Sequence, residues 1–204
     1  MILASGSPRR LELLERIGLV PIVLRSGVPE APNRGETPRD YTRRLACEKA
    51  EEVAARVDDE LEPEPGFDAL PDWVIAADTV VVFDDEVLEK PADGAQAYDM
   101  LTRLSGRWHT VVTSFCWHGR HDAVTRVRTV QADVCFRELD DDFIRRYIQT
   151  REPMDKAGGY GIQRVGATLV REIRGSYFCV VGLPVCEVVE ELVRLGGLRD
   201  YPFL

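Results

Sequence analysis

Lysine is almost missing from this chain. Of its 26 basic residues only three are lysines, Lys49, Lys90 and Lys156. Arginine serves nearly every other place that carries positive charge. Also missing is any run of about 18 apolar residues, so no membrane span is expected. The start, Met1-Ile2-Leu3-Ala4-Ser5, lacks the basic segment and long apolar stretch of a secretory signal and reads as a short strand. The five cysteines, Cys47, Cys116, Cys135, Cys179 and Cys186, are odd in number and contain no C-x-x-C pair. That spacing disfavours a disulfide framework, a zinc site or a cysteine nucleophile and suits reduced thiols in a cytoplasmic protein. Basic charge is short overall, because 26 Lys and Arg against 35 Asp and Glu leave a net charge of −9. Such a chain is a poor partner for a nucleic-acid polymer, which rewards a basic face. Internal repeats and low-complexity tracts are absent as well.

What remains is an ordinary globular composition, with 45% hydrophobic and 30% charged residues over 204 positions. That length predicts a single domain over residues 1–204, with a real core. Residues 1–5 read as a strand. Ser7 and Pro8 then open a helix whose apolar face is Leu11, Leu14 and Ile17, with Gly18 as its stop. Val20–Leu24 reads as a second strand, and residues 27–36 as a Pro- and Gly-rich loop carrying Glu30. Thr37-Pro38 opens a long helix to about Val57, with Tyr41, Leu45, Lys49 and Val53 on one line. Residues 58–72 read as an acidic, solvated insertion. Trp73–Ala77 reads as a buried-type strand, followed by Asp78, Thr79 and the apolar Val80–Phe83, and Asp84-Asp85 turns the chain to Val87-Leu88 as in a hairpin. Asp93 and Asp140 are set to cap helices. Between those helices, Trp108–Trp117 and Val124–Phe136 read as long strands around a turn at Gly119. Ala167–Ile173 reads as a last strand, and Pro184 opens a closing helix. The alternation predicts α/β with a mixed sheet.

Four segments carry chemistry. Ser5-Gly6-Ser7-Pro8-Arg9-Arg10 joins a strand end to a helix start, where free N–H groups, two hydroxyls and two guanidiniums can meet a phosphate. The same residues also read as an ordinary helix cap with surface arginines. Asp78 lies inside Val74-Ile75-Ala76-Ala77-Asp78-Thr79-Val80-Val81. An ionised carboxylate there is costly unless cations or metal compensate it. It reads as a metal ligand or proton acceptor, or else as a residue that closes a strand-end turn. Lys90 precedes Pro91, which biases it to extended backbone. Asp155-Lys156-Ala157-Gly158-Gly159-Tyr160-Gly161-Ile162-Gln163 has glycines that let a ligand approach. In it Tyr160 could face a base or the core, and Gln163 could read a base edge. His118-x-x-His121 reads as an exposed turn and not as a metal pair, and His109 as a strand residue near the site mouth.

Taken in order, these segments resemble the Maf family of nucleoside triphosphate pyrophosphatases. The likeness runs over nearly the whole chain. It takes in Ile2 to Arg10, Leu45-Ala46 with Lys49-Ala50, Ala77 to Val81, Lys90-Pro91, Leu104-Ser105-Gly106-Arg107 with His109, Asp155 to Gln163, and Val181-Gly182-Leu183-Pro184. The resemblance implies an elongated mixed sheet flanked by helices, with two lobes around a cleft as in inosine triphosphate pyrophosphatase. It implies Mg²⁺- or Mn²⁺-dependent cleavage between the α- and β-phosphates, in the cytoplasm, with the nucleoside triphosphate as partner; separately from the resemblance, a homodimer is a candidate assembly. It implies Asp78 as the proton acceptor and Ser5, Arg10, Glu30, Lys49 and Lys90 as cleft residues; from the charges, Asp78, Lys49 and Lys90 are the expected catalytic residues and Asp78 with Glu30 the expected metal ligands. Ser5, Ser7, Arg9, Arg10, Thr79 and Gln163 would bind substrate, and of these Arg9, Thr79 and Gln163 match positions tied to base choice. The Asp155–Gln163 wording is similar to the dTTP/UTP-cleaving subgroup. The rival expectations are 7-methyl-GTP or another modified nucleotide as substrate, and a nucleotide-binding regulator of septum formation without turnover. Glu89 departs from the Gly usual before Lys-Pro in the family.

Overall fold

The computed structural model describes residues 1–63, 69–198 and 201–202. Among these are seven strands, and they form one mixed sheet, flanked by helices, in the order β2-β1-β3-β5-β6-β7 with β4 paired to β3. The strands are β1 (Ile2–Leu3), β2 (Ile22–Val23), β3 (Trp73–Phe83), β4 (Glu86–Leu88), β5 (Trp108–Gly119), β6 (Thr125–Phe136) and β7 (Val170–Gly175). The helices among the described residues are α1 (Pro8–Arg16), α2 (Pro38–Glu60), α3 (Gly94–Leu104), α4 (Asp141–Gln149), α5 (Tyr177–Val181) and α6 (Val185–Arg194). The α/β expectation therefore holds. The chain divides into two compact units, one of Met1–Asp78, Ser114–Thr129 and Gly182–Leu204, the other of Thr79–Thr113 and Val130–Val181.

In the first unit β1 pairs in parallel with both β2 and β3. The ladder extends past the strand ends, with Ala4 N–H donating to Ile75 O at 2.8 Å and Leu24 N–H to Leu3 O at 3.1 Å. Three parallel strands thus present their carboxyl ends together, which is where α/β proteins bind ligands. Helix α2 starts as its sequence demands. Thr37 Oγ1 accepts from Asp40 N–H at 3.1 Å and donates to the Asp40 carboxylate at 2.7 Å. Its inward stripe, Tyr41, Leu45, Lys49, Val53 and Val57, is buried. Each apolar member adds on the order of 1.5–3 kcal/mol by leaving water. Val53 and Val57, with Ala46 and Ala50 of the same helix, pack with Ile2, Ala4, Val74, Ala76 and Cys116.

In the second unit the turn between β3 and β4 places Asp84 and Asp85 at φ of 49° and 64°. Two left-handed residues make the two-residue hairpin turn whose twist suits its strands. Asp93 and Asp140 cap α3 and α4, accepting from Gln96 N–H at 2.8 Å and Phe143 N–H at 2.7 Å. The core gathers Phe83, Leu101, Leu104, Val134, Phe136, Tyr147, Tyr160 and Leu169.

Several expectations are corrected. Helix α1 buries Leu13 and Leu14, while Leu11 and Ile17 stay half-buried. Ser7 stands at the cap position, but its side chain makes no capping bond. Helix α2 runs to Glu60, three residues past Val57. Arg56 pairs with Glu60 at 3.2 Å, and Arg120 pairs with Asp58, so the acidic end is compensated. The rest of the acidic insertion reaches residues 64–68, which lie outside the described residues. Residues Val165–Leu169 form a 3₁₀ turn, so β7 starts only at Val170. Glu152 causes this, because its carboxylate accepts from Val165 and Gly166 N–H at 3.1 and 3.0 Å and bends the chain. Tyr177–Val181 forms the short helix α5, and Ser176 Oγ accepts from Cys179 N–H at 3.3 Å at its start.

His109 is not at a site mouth. It is 4% exposed within the second unit, sharing a 2.7 Å hydrogen bond with Tyr160. Burial pushes its pKa down to about 4. The unfolded value is about 6.5, so between the two the unfolded chain holds the extra proton. His109 therefore contributes stability that is whole above about pH 6.5 and is lost as pH falls towards about 4. Between about pH 7 and pH 4.5 this histidine should remove roughly 2–3 kcal/mol of unfolding free energy. Urea titrations of wild type and His109→Phe should show that extra loss in the wild type only.

Candidate active site

The carboxyl ends of the three parallel strands supply the first unit's polar cluster. Ser5 follows β1, Glu30 lies in the loop after β2, and Asp78 sits on β3 where that strand runs beyond β1. Lys49 comes from the inward stripe of α2. Its ammonium is buried and donates to Asp78 Oδ1 at 2.7 Å and to Glu30 Oε1 at 2.6 Å. Asp78 is 7% exposed and Lys49 6% exposed. A carboxylate at that depth persists only because the ammonium meets it, and an ammonium on a helix's apolar stripe persists for the same reason. Glu30 is exposed and completes the charge arrangement from the solvent side.

Arg10 is fixed from two directions. Its Nε donates to Gly182 O at 2.9 Å and its Nη1 to Ser5 Oγ at 3.2 Å. Ser5 Oγ also accepts from Ser7 N–H at 3.2 Å, which tightens the turn into α1. Gly182 has φ of 115°, a backbone state that only glycine adopts freely, and this conformation aims its carbonyl at the guanidinium. Burial pulls the Arg10 pKa below its ordinary value; Asp78 and Glu30 pull it back up, and Arg9 adds to the lowering. These charges act on one another within one unit. The structure thus brings together Ser5, Arg9, Arg10, Glu30, Lys49 and Asp78 among the sequence candidates, with Ser7 contributing its backbone. The part of Gly182 was not legible, although its segment belongs to the family likeness.

Thr79, Lys90 and Gln163 belong to the second unit. Thr79 Oγ1 lies 3.0 Å from Thr113 Oγ1. Thr113 donates its own proton to Cys179 O at 2.8 Å, so Thr79 is the donor between the threonines. Lys90 is exposed and Gln163 half-buried. Lys156, the third lysine, is occupied locally, donating to Glu152 O at 2.7 Å and to the Asp155 carboxylate at 2.5 Å. Tyr160 faces the core, so of its two expected surroundings the apolar one is realised. His118 bonds Thr125 at 2.9 Å and exposed His121 pairs with Asp72 at 2.9 Å, so the two histidines have separate partners.

Among the described residues no group of three or more His, Cys, Asp or Glu side chains is placed to hold a metal ion. The cluster does contain two carboxylates, Asp78 and Glu30, that share one ammonium. Mg²⁺ and Mn²⁺ favour such hard oxygens, and Mg²⁺ is commonly held by one or two carboxylates completed by water and substrate phosphate. The donor chemistry therefore fits a divalent cation that arrives with a phosphate ligand.

Comparison with known proteins gives a consistent result. A family model described as Maf-like protein matches residues 1–195. A protein named dTTP/UTP pyrophosphatase from Geobacter metallireducens is 45% identical over 198 residues, covering 97% of each chain. A protein of the same name from Syntrophus aciditrophicus is 44% identical over 97% of this chain and 91% of its own. Another, from Shigella dysenteriae, is 41% identical over 98% of this chain and 95% of its own.

The buried pair gives a stability test. Lys49→Met leaves Asp78 charged and without its ammonium, which should cost about 3 kcal/mol at neutral pH. The double substitution Lys49→Met/Asp78→Leu removes both charges and should recover most of that loss. Urea unfolding free energies of the two variants decide it, and equal losses would show that charge compensation is not what holds this site.

Proposed function

Because the chain belongs to the Maf-like protein family, we propose that it hydrolyses nucleoside triphosphates, dTTP and UTP foremost, to the monophosphate and pyrophosphate. It is then a hydrolase acting on acid anhydrides, and residues 1–204 serve as one nucleotide-handling domain. The observation that carries the reading is the Lys49 ammonium shared by Asp78 and Glu30 at the carboxyl ends of three parallel strands. Family and relatives support it over more than nine-tenths of the chain.

The chemistry follows from the charges. A triphosphate is repelled by a protein of net charge −9, so binding needs a local excess of cations. Arg10, held by Ser5 and Gly182, and Arg9 beside it at the start of α1 supply that excess, with helix N–H groups close by. Asp78 accepts a proton from the attacking water, and Lys49 holds its carboxylate in one orientation. Asp78 and Glu30 would hold Mg²⁺ or Mn²⁺, which when bound supplies further positive charge against the phosphates. Lys90 keeps a catalytic part, and Arg9, Thr79 and Gln163 parts in base choice, on the strength of the sequence likeness. The five cysteines are free thiols, which suits the reducing cytoplasm where nucleotide pools reside. Among the described residues no helix is long and apolar enough to cross a membrane.

Asp78→Asn should lower pyrophosphate release from dTTP by about 100-fold or more while the protein stays folded. Near-normal turnover in that variant would remove Asp78 from the mechanism. Chelation of divalent cations should abolish release, and added Mg²⁺ or Mn²⁺ should restore it. A panel of common and modified triphosphates should show dTTP and UTP preferred; a strong purine preference would contradict the substrate assignment.

A further inference from the structure

Within the second unit, one buried polar group has no partner to account for it. His109 Nε2 shares its hydrogen bond with Tyr160 Oη, but Nδ1 is buried without a partner among the described residues. The rings of Phe136 and Tyr160 meet the imidazole edge-on, with centroids at 4.9 and 5.3 Å. A phenyl ring would fill the same space and leave no unpaired nitrogen. A buried unsatisfied group calls for a reason, and here the candidate reason is the tyrosine hydroxyl that His109 holds.

Tyr160 ends a turn that is tightly held at Gly158. Gly158 and Gly159 have φ of 67° and 70°. A Cβ on Gly158 would lie 2.9 Å from Val81 Cγ2, so the turn lies hard against β3. Gly158 N–H donates to Glu89 O at 3.1 Å, which ties the turn to the residue before Lys90. Beyond Tyr160 the segment is tied again, where Glu152 accepts from Gly166 N–H at 3.0 Å. Gln163 lies between Gly161, whose N–H donates to Tyr147 Oη at 3.2 Å, and Val165, whose N–H donates to the Glu152 carboxylate at 3.1 Å; the Tyr160 hydroxyl bonded to His109 is the next hold before Gly161.

We infer that His109 is a positioning residue for base selection. By fixing Tyr160 it holds the segment that runs from the Gly158–Gly159 turn to Gln163, and so sets Gln163. This rests on the proposed function, in which Gln163 has a part in base choice. His109 touches no substrate and acts only through Tyr160.

The test uses His109→Phe, Tyr160→Phe and the double variant. The double variant matters most, because it leaves no buried polar atom at this point and should melt at or above the wild-type temperature. Steady-state kinetics should show KM for dTTP and UTP raised about tenfold in all three, with kcat within about twofold, and preference over the other triphosphates reduced about tenfold. Wild-type KM and selectivity in a stable double variant would overturn the inference, as would a fall in kcat at unchanged KM. If either single variant fails to fold, the double variant decides alone; should it too misfold, the other single decides by the same kinetics, and misfolding of all three would show a purely structural role and overturn the inference. A wild-type protein that releases no pyrophosphate from dTTP or UTP would overturn the hydrolase reading and this inference together. An active, selective wild type with an unaltered double variant overturns this inference alone.

Discussion

Lys49 sits on the apolar stripe of α2, between Leu45 and Val53, where a leucine would pack with less cost. Its ammonium is tolerated because Asp78 comes to it from β3 and Glu30 from the loop after β2. Asp78 in turn is tolerated within an apolar strand because the ammonium is there. Each charge is the condition for the other's burial, and neither would be stable alone at that depth. The arrangement also fixes register. A shift of one residue in β3 would turn Asp78 to the other face of the sheet and leave Lys49 against hydrocarbon.

The parallel strands determine what this pair can do. Since β1, β2 and β3 run the same way, the residues after them emerge at the same end. The Ser5–Ser7 turn and the start of α1 are therefore neighbours of the carboxylates, and Arg10 feels the charges of Asp78 and Glu30. An acidic protein can in this way keep cations where an anion must bind, while like charge elsewhere on the surface discourages unspecific contact with polyanions. The scarcity of lysine fits the same economy only in part. Lys49 lies in the cluster, but Lys156 is engaged by its own loop.

The second unit shows a different use of buried polarity. Strand β5 carries His109 and, four residues on, Thr113 on the same face. The first is bonded to Tyr160 and the second to Thr79 and the Cys179 carbonyl. Both are core residues by burial, and both have a partner next to or within a segment of the family likeness. The network is short and satisfied except at His109 Nδ1. That single deficit separates a residue kept for its hydrogen bond from one kept for its volume.

Local chemistry was legible where it acts over a few residues. Thr37-Pro38 and Asp93 announce helix starts, Asp84-Asp85 a hairpin, and Trp73–Ala77 a buried strand, because caps, turns and side-chain periodicity depend on neighbours in sequence. Asp78 and Lys49 were legible as anomalies, charges in places that reward hydrocarbon. What the sequence could not express is which charge meets which. Lys49 and Asp78 are 29 positions apart, and Arg10 and the Gly182 carbonyl 172 apart. Contacts of that span depend on strand order and register, so only the fold decided them. The same reason hid the role of His109, whose meaning lies wholly in Tyr160, 51 residues on. It also explains the strand read at 167–173, where a long-range acceptor, Glu152, overrode a local β pattern. The sequence by itself determined the elements and the kinds of charge available; the tertiary structure decided their partners, because burial makes pairing obligatory but does not say with whom.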